Sequence, residues 1–275
     1  MGNGDLGLIF GNPGGGKSWA LIAIGAYAAS LGFNVLHYTL ELGDMYIGRR
    51  YDAFFSNIPV NKIDGYREEV ENILSNLKGQ IIIKEFPPNR VTISTIEAHI
   101  KKIKELGITP DLVIIDYIDL LSTKKKTQDR KEEIDDIYSS TKGLAKELDL
   151  PIWSVSQVNR AGAKDDIIEG DKSAGSYDKT MIADVSISLS RKRKDKVEGT
   201  GRFHFMKNRY GLDGLTFFVR IDTATGHLEI LEEYEPEEGN DSTPSPPKNN
   251  PPQGSLDKYD MKTLRNKFFE LQNKQ

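Results

Sequence analysis

Residues 11–18 read GNPGGGKS, and this stretch decides the fold. An apolar run (residues 6–10) precedes it and an alanine-rich run (residues 19–30) follows it, which places it between a strand and a helix. A G-x-x-x-x-G-K-S sequence in that context is typical of a phosphate-binding loop. Its glycines let consecutive backbone N–H groups converge on an anion, and the positive end of the helix adds to the attraction. The sequence therefore predicts a nucleoside triphosphate site rather than a glycine-rich turn.

Two side chains of this phosphate loop have separate predicted roles. Lys17 can reach the β- and γ-phosphates, and the Ser18 hydroxyl can ligate Mg²⁺. The candidate nucleotide-binding residues are those of the whole loop: Gly11, Asn12, Pro13, Gly14, Gly15, Gly16, Lys17 and Ser18.

Composition limits the classes of protein that need consideration. The chain has 275 residues, 37% of them hydrophobic and 28% charged, enough for one large α/β core with an appendage. It contains no cysteine, which excludes disulfides and thiolate metal sites. We expect a cytoplasmic protein without membrane contact, since neither a long apolar run nor a signal-peptide pattern is present. The net charge of −4 does not exclude nucleic acid, because a nearly neutral body can carry basic loops.

Apolar runs alternate with helical patterns through the first part of the chain. The predicted strands cover residues 6–10, 35–40, 81–86, 112–116 and 152–156. The predicted helices cover residues 17–30, 44–56, 66–78, 94–106 and 130–148. This alternation indicates an α/β protein with a mainly parallel central sheet flanked by helices.

The pattern changes after Ile182. Short strand-like runs follow at residues 185–189, 202–206, 215–221 and 227–231, and glycine-containing turns at residues 199–201, 211–214 and 226 separate them. These runs predict antiparallel hairpins that extend the sheet.

The sequence divides into three parts. Residues 1–231 contain all the predicted strands and the helices between them, and form one predicted nucleotide-binding domain. Residues 232–254 are acidic and proline-rich and predict a flexible linker. Residues 255–275 predict a tethered amphipathic helix. Its apolar face consists of Met261, Leu264, Phe268 and Leu271. Such a helix can dock on a neighbouring copy or a partner, pack on its own domain, or remain a frayed tail.

Acidic residues stand at the ends of two predicted strands. Asp116 ends the run LVIID and is the candidate for holding Mg²⁺ opposite Ser18, with Asp119 as a weaker alternative suited to a loop or helix cap. Glu41 follows the strand at residues 35–40, where a carboxylate can orient and deprotonate an attacking water. A solvated loop acid or a helix cap would explain the position of Glu41 equally well.

Gln157, Lys207 and Arg209 are further candidates. Gln157 directly follows the predicted strand at residues 152–156, where its amide can contact a γ-phosphate or simply be a polar strand end. Lys207 and Arg209 are two positions apart after another strand and can bracket a polyphosphate, although a solvated hairpin tip has the same pattern.

Two basic loops follow predicted strands, at residues 122–131 and 160–179. Both would emerge on the nucleotide side of the sheet, where cations suit the backbone of single-stranded DNA. The candidate contacts in the second loop are Arg160, Lys164 and Lys172. Neither loop offers an aromatic stacking platform, and charge runs are usually just solvated.

The chain order of five motifs resembles a known family. GNPGGGKS, YTLE, LVIIDYIDLL, SVSQVNR and FMKNRYG together resemble the RecA-type motor domain of DnaB-like replicative helicases, including phage members, over residues 4–231. The resemblance implies a RecA-like P-loop NTPase that uses ATP and Mg²⁺. It also implies a hexameric ring that translocates 5′→3′ on single-stranded DNA in DNA replication.

The resemblance also implies roles for the candidates. Lys17, Ser18 and Asp116 would hold the phosphates and Mg²⁺, and Glu41 would be the catalytic base. Gln157 would link the γ-phosphate to DNA binding.

Other implied roles lie beyond a single nucleotide site. Lys207 and Arg209 would be inserted into the site of the neighbouring subunit. The segment at residues 171–176, with Gly175 and Ser176, would lie along the single strand.

One departure concerns the N-terminus. Family members carry an N-terminal domain and a linker helix that latches onto the adjacent subunit, whereas this sequence begins almost at the first strand. Whether it is a truncated or a naturally minimal motor, the helix at residues 256–271 can replace the latch, or recruit a primase, loader or polymerase. Two rival functions stay open: a RecA-like recombinase filament, and a DNA-independent regulatory or packaging ATPase.

Overall fold

The computed structural model describes residues 1–123, 129–158, 167–168 and 176–234. The predicted linker and C-terminal helix lie outside these residues and stay predictions. The same holds for the DNA-contact candidates Arg160, Lys164, Lys172 and Gly175 and for the side chain of Ser176.

Strands and helices alternate along the described chain. The strands are β1 Leu6–Gly11, β2 Val35–Thr39, β3 Ile81–Glu85, β4 Leu112–Asp116, β5 Ile152–Gln157, β6 Val185–Ser190, β7 Thr200–Asn208, β8 Thr216–Ile221 and β9 Leu228–Glu233. The α-helices are α1 Lys17–Ser30, α2 Asp44–Ser56, α3 Arg67–Ser75, α4 Ile93–Glu105, α5 Arg130–Leu148, α6 Ser176–Ile182 and α7 Arg193–Glu198. Short 3₁₀ turns occur at Ile63–Gly65 and Ile118–Leu120. No helix in the described ranges is long and apolar enough to cross a membrane.

The described strands form one nine-stranded sheet in the order β3-β2-β4-β5-β1-β6-β7-β8-β9. Strands β1 to β6 pair in parallel, and β7, β8 and β9 add antiparallel pairs at one side. This arrangement confirms the predicted α/β class, with a mainly parallel sheet and antiparallel C-terminal strands.

Two features after Ile182 differ from the expected series of hairpins. Strand β6 is parallel to β1, because the chain crosses over through α6 before it enters β6. Helix α7 also interrupts the connection from β6 to β7, where only a turn at residues 199–201 was expected. Its charged sequence has no apolar period, and it is anchored by the buried carboxylate of Asp195. That carboxylate accepts hydrogen bonds from the Lys192 N–H (2.7 Å) and the Arg202 guanidinium (3.1 Å).

The central strands are buried on both faces of the sheet. Side chains of β1 alternate between two apolar clusters, with Leu8 and Phe10 on one face and Ile9 on the other. Strand β4 does the same with Ile115 and Ile114. This double burial explains why these strands read as continuous apolar runs.

The parallel register brings four chain segments to one edge. Gly11 lies beside Gln157 across the β1–β5 pair, and Thr39 lies beside Asp116 across the β2–β4 pair. The loops that follow β1, β2, β4 and β5 therefore leave the sheet at its carboxyl edge, where ligand sites of open α/β sheets form.

Candidate nucleotide-binding and catalytic site

The phosphate loop joins β1 to α1 as the motif predicts. Gly14 (φ 65°) and Gly16 (φ 98°) occupy left-handed backbone conformations that favour glycine. At Gly15 a Cβ would approach the Asn12 carbonyl oxygen to 2.8 Å, the same oxygen that accepts the Gly15 N–H at 2.9 Å. Glycine is thus required at each of these positions, and the resulting cradle fits a phosphate chain.

The side chain of Lys17 folds back onto the first residues of this loop. Its ammonium donates to the carbonyl oxygens of Gly11 (2.9 Å) and Asn12 (3.0 Å), and the residue is buried. Burial lowers the pKa of Lys17, whereas the carboxylates of Asp116 and Glu41 act in the opposite direction. The lysine is therefore a largely desolvated cation beside two acids, where its attraction to phosphate is strong.

Asp116 and Ser18 are the residues that could hold Mg²⁺. Asp116 is almost fully buried, and burial raises the pKa of its carboxyl, while a hydrogen bond from Ser18 lowers it. Its Oδ1 atom is buried without a hydrogen-bond partner among the described residues. One carboxylate, one hydroxyl and phosphate oxygens suit Mg²⁺, which rarely uses an all-protein cage. The described residues contain no group of three or more histidine or acidic side chains placed to hold a metal ion.

The alternative carboxylate, Asp119, is engaged elsewhere. Its two oxygens accept from the Lys179 ammonium at 2.9 and 3.0 Å, and one of them also accepts from the Ser156 hydroxyl at 3.3 Å. Asp116, and not Asp119, is the carboxylate that contacts Ser18.

Glu41 and Gln157 line the same cleft as the phosphate loop. Glu41 is exposed, two positions beyond the end of β2, and its charge influences the pKa of both Lys17 and Asp116. The Gln157 amide donates a hydrogen bond (3.5 Å) to the hydroxyl of Tyr117, the residue that follows Asp116 in the sequence. The structure thus brings together the candidates that the sequence placed at three different strand ends.

Sequence reasoning missed Arg50, which also lines the cleft. Its guanidinium carbon lies 4.5 Å from the centre of the Trp19 ring, and its Nη1 atom is buried without a partner among the described residues. Burial lowers the pKa of Arg50, and Asp116 and Glu41 act against this. The arginine remains charged at neutral pH. Its position in the sequence could have indicated this burial, because Arg50 comes three residues after Ile47 and four before Phe54 and so lies on the same, buried face of α2.

We expect Arg50→Met to weaken binding of a non-hydrolysable ATP analogue about tenfold or more, because a charged hydrogen-bond donor is lost from the lining of the cleft. Arg49→Met is the matched control, since the neighbouring Arg49 pairs with the exposed Asp64 at 2.7 Å. It should change affinity less than about twofold. Equal affinities of the two variants, measured by fluorescence anisotropy, would show that Arg50 contributes nothing to the site.

Lys207 and Arg209 lie at the other end of the parallel strands, where β1 and β6 begin (the amino edge of the sheet). Strand β7 runs antiparallel to β6, so that Asn208 lies beside Val185, where β6 begins. Arg209 pairs with Asp184 at 3.1 Å, and Asp184 also accepts the N–H of Leu6, where β1 begins. The length of β1, about 16 Å, separates this edge from the phosphate loop. The two cations therefore do not join the cleft of their own chain.

The described basic residues of the two predicted DNA loops are helical and ion-paired. Arg130 and Lys131 begin α5 and pair with Glu133 (2.9 Å) and Asp178 (2.8 Å). Lys179 lies on α6 and pairs with Asp119. These three cations thus have protein partners. Arg130 and Lys131 begin the helix that was predicted at residues 130–148, whereas Lys179, predicted in a loop, lies on a helix. Contacts of these segments with DNA stay a prediction.

The sheet order, the phosphate loop and the acid at the end of β4 define a P-loop NTPase domain with a RecA-like fold. Residues 1–211 match the family model of the DnaB-like helicase C-terminal domain. Since the match covers well over half of the chain, the protein belongs to the DnaB-like helicase C-terminal domain family.

Individual relatives agree with this assignment. The chain is 20% identical to the DnaB-like replicative helicase of Enterobacteria phage T4, over 76% of this chain and 46% of the relative. It is 27% identical to the replicative DNA helicase DnaB of Mycoplasma genitalium, over 85% of this chain and 53% of the relative. The chain thus spans about half the length of these curated relatives.

Two solved structures share the fold. One is an isolated ATPase domain, which superimposes with a TM-score of 0.73 at 21% identity and covers 84% of this chain and 86% of that one. The other, a DnaB-like replicative helicase solved in a study of its interactions with primase, gives the same TM-score and identity, over 84% of this chain and 58% of the other.

Proposed function

We propose that this protein is an ATP-driven 5′→3′ translocase on single-stranded DNA that works as a hexameric ring helicase in DNA replication. One observation carries the proposal. The cleft around Lys17 and Asp116 lies at one edge of the sheet, and the cations Lys207 and Arg209 lie at the other. Two copies placed head to tail would join these halves into one site. Repetition of such a heterologous contact closes into a ring or extends into a filament.

The chemistry follows from the groups in each half. The loop N–H groups and Lys17 hold the phosphates, and Ser18 and Asp116 are placed to hold Mg²⁺, which when bound neutralises charge on the phosphate oxygens. Glu41 orients water and takes its proton. Arg209 of the next subunit would stabilise the charge that develops on the transferred phosphoryl group.

Exposed apolar side chains flank both halves, which supports burial of these surfaces between copies. Near the Lys207–Arg209 pair in sequence or by contact are Met181, Tyr210 and Leu212, and on helices α2 and α7 are Met45, Tyr46 and Val197, each of them more than half exposed. These two helices adjoin the cleft, because Arg50 of α2 lines it and Lys196 of α7 lies close to the loop at Gly14. Aromatic residues and methionine are enriched in protein interfaces.

The remaining parts of the proposal concern location and partners. The protein would act in the cytoplasm of a bacterial or phage-infected cell, with single-stranded DNA held by the loops that follow β4 and β5. The predicted C-terminal helix would contact a primase, loader or polymerase. The named relatives are replicative helicases, and one of the solved structures concerns primase, which supports the choice.

ATP hydrolysis with and without single-stranded DNA, together with unwinding of a forked duplex, tests the function. We expect DNA to stimulate hydrolysis, binding to weaken steeply with salt, and a fork with a 5′ tail to be unwound. Strand exchange by filaments without unwinding would identify a recombinase. Hydrolysis that is indifferent to DNA would identify a DNA-independent ATPase, and either result contradicts the proposal.

A further inference from the structure

We infer that Lys179 is a positioning residue that couples the nucleotide site of a subunit to the cations it offers to the next subunit. The inference rests on the proposed function and names a physical connection within one chain. It concerns α6, the short helix that follows the predicted DNA loop.

The ammonium of Lys179 is held by groups from two other elements. It donates to both carboxylate oxygens of Asp119 and to the Ser156 hydroxyl at 2.9 Å. It also lies 4.9 Å from the centre of the Tyr138 ring on α5. The side chains of Lys179 and Asp119 are only 13% and 16% exposed. A largely desolvated pair with further hydrogen bonds resists breaking more than a surface ion pair does.

The partners of Lys179 are sequence neighbours of the proposed catalytic residues. Asp119 lies in the 3₁₀ turn Ile118–Leu120, which follows Asp116 after one intervening residue. Ser156 directly precedes Gln157 in β5. A displacement of Gln157 or of the chain after Asp116 therefore acts on α6 through this contact.

The next two residues of α6 hold the lysine offered to the neighbour. Lys207 donates its ammonium hydrogens to the carbonyl oxygens of Thr180 (3.0 Å) and Met181 (2.7 Å). The chain beyond α6 holds the arginine, because the Asp184 carbonyl oxygen accepts the Arg209 N–H at 3.0 Å and the Asp184 carboxylate pairs with its guanidinium.

One short helix thus connects the two half-sites of the subunit. Lys179 contacts Ser156 at the end of β5, beside the subunit's own cleft. The next two residues, Thr180 and Met181, contact Lys207 at the amino edge of the sheet. Packed rigid elements and hydrogen-bond networks of this kind carry coupling between distant sites. We expect nucleotide binding in one subunit to adjust Lys207 and Arg209 in the next site.

The test compares Lys179→Met with Lys101→Met in the full chain. Lys101 also forms an ion pair, with Glu97 of its own helix α4, but its side chain is 54% exposed and α4 carries none of the proposed site residues. For each variant we would measure the affinity for a non-hydrolysable ATP analogue, the maximal ATPase rate, and the Hill coefficient for ATP.

Lys179→Met is expected to keep nucleotide affinity within about twofold, to lower the maximal rate about tenfold, and to reduce the Hill coefficient to about 1. Lys101→Met should behave as the wild type in all three. Lys179→Arg should restore part of the cooperativity, since a guanidinium can still pair with Asp119. If Lys179→Met does not fold, Asp119→Asn serves in its place, because the amide keeps an acceptor oxygen but loses the charge.

Two results would overturn the coupling by Lys179. One is wild-type rate and cooperativity in a folded Lys179→Met or Asp119→Asn variant. The other is a loss of nucleotide affinity as large as the loss of rate, which would indicate a purely structural role. Failure of the proposed function looks different, because the wild type itself would then show no stimulation by DNA.

Discussion

Arg209→Ala is expected to lower the ATP hydrolysis rate by about 10³-fold or more while nucleotide affinity stays close to that of the wild type. An arginine supplied to a phosphoryl-transfer site contributes about 10³- to 10⁵-fold to the rate. Arg209 lies at the amino edge of the sheet and does not contact its own cleft, so binding by Lys17 and the loop should persist. A steady-state ATPase assay and nucleotide titration give both quantities.

The matched control for this substitution is Arg67→Ala, which removes an arginine whose partner is the exposed Glu71. It should leave the rate unchanged. Mixing Arg209→Ala with Lys17→Ala subunits should restore hydrolysis, because an intact loop then meets an intact arginine at some interfaces. No recovery in assemblies that demonstrably contain both variants would contradict the assignment of Arg209 to the neighbouring site.

Glu41→Gln is expected to lower the maximal hydrolysis rate by about 10²- to 10⁴-fold. Glutamine keeps the shape of the side chain and its hydrogen-bonding oxygen, but it cannot take a proton from water. Affinity for ATP with Mg²⁺ should remain, since Lys17, Ser18 and Asp116 are unchanged. Pre-steady-state measurement of product formation separates the chemical step from binding.

Glu85→Gln provides the comparison for Glu41. Glu85 ends β3, at the same carboxyl edge, and its exposed carboxylate accepts the Asp44 N–H at 3.2 Å. Its loss should change the rate less than about threefold. A Glu41→Gln rate that matches the Glu85→Gln rate would remove Glu41 from the chemistry.

Much of the fold follows from local sequence. The predicted bounds of α1, α2, β4 and α5 agree with the structure. Each of these elements has a clear apolar period or a continuous buried run with a polar or glycine boundary. The cleft could be anticipated for the same reason, because ends of parallel strands converge whatever the details of packing.

The remaining features depend on contacts between distant residues. Asp184 accepts the N–H of Leu6, 178 positions away, and no local pattern indicates this contact. Helix α7 is held by the buried carboxylate of Asp195, and its charged sequence gives no indication that this residue is buried. The position of Arg209, far from the cleft of its own chain, depends on the direction of β7, because β7 runs antiparallel to β6 and ends where β6 begins.

The central claim is that each catalytic site is completed by a second copy of the chain. ATPase rate per subunit, measured across protein concentrations together with the oligomeric state, tests it most directly. We predict a cooperative rise of the specific rate that follows assembly, with almost no hydrolysis by dispersed subunits. A constant specific rate that persists at concentrations where the chain is monomeric would contradict the claim.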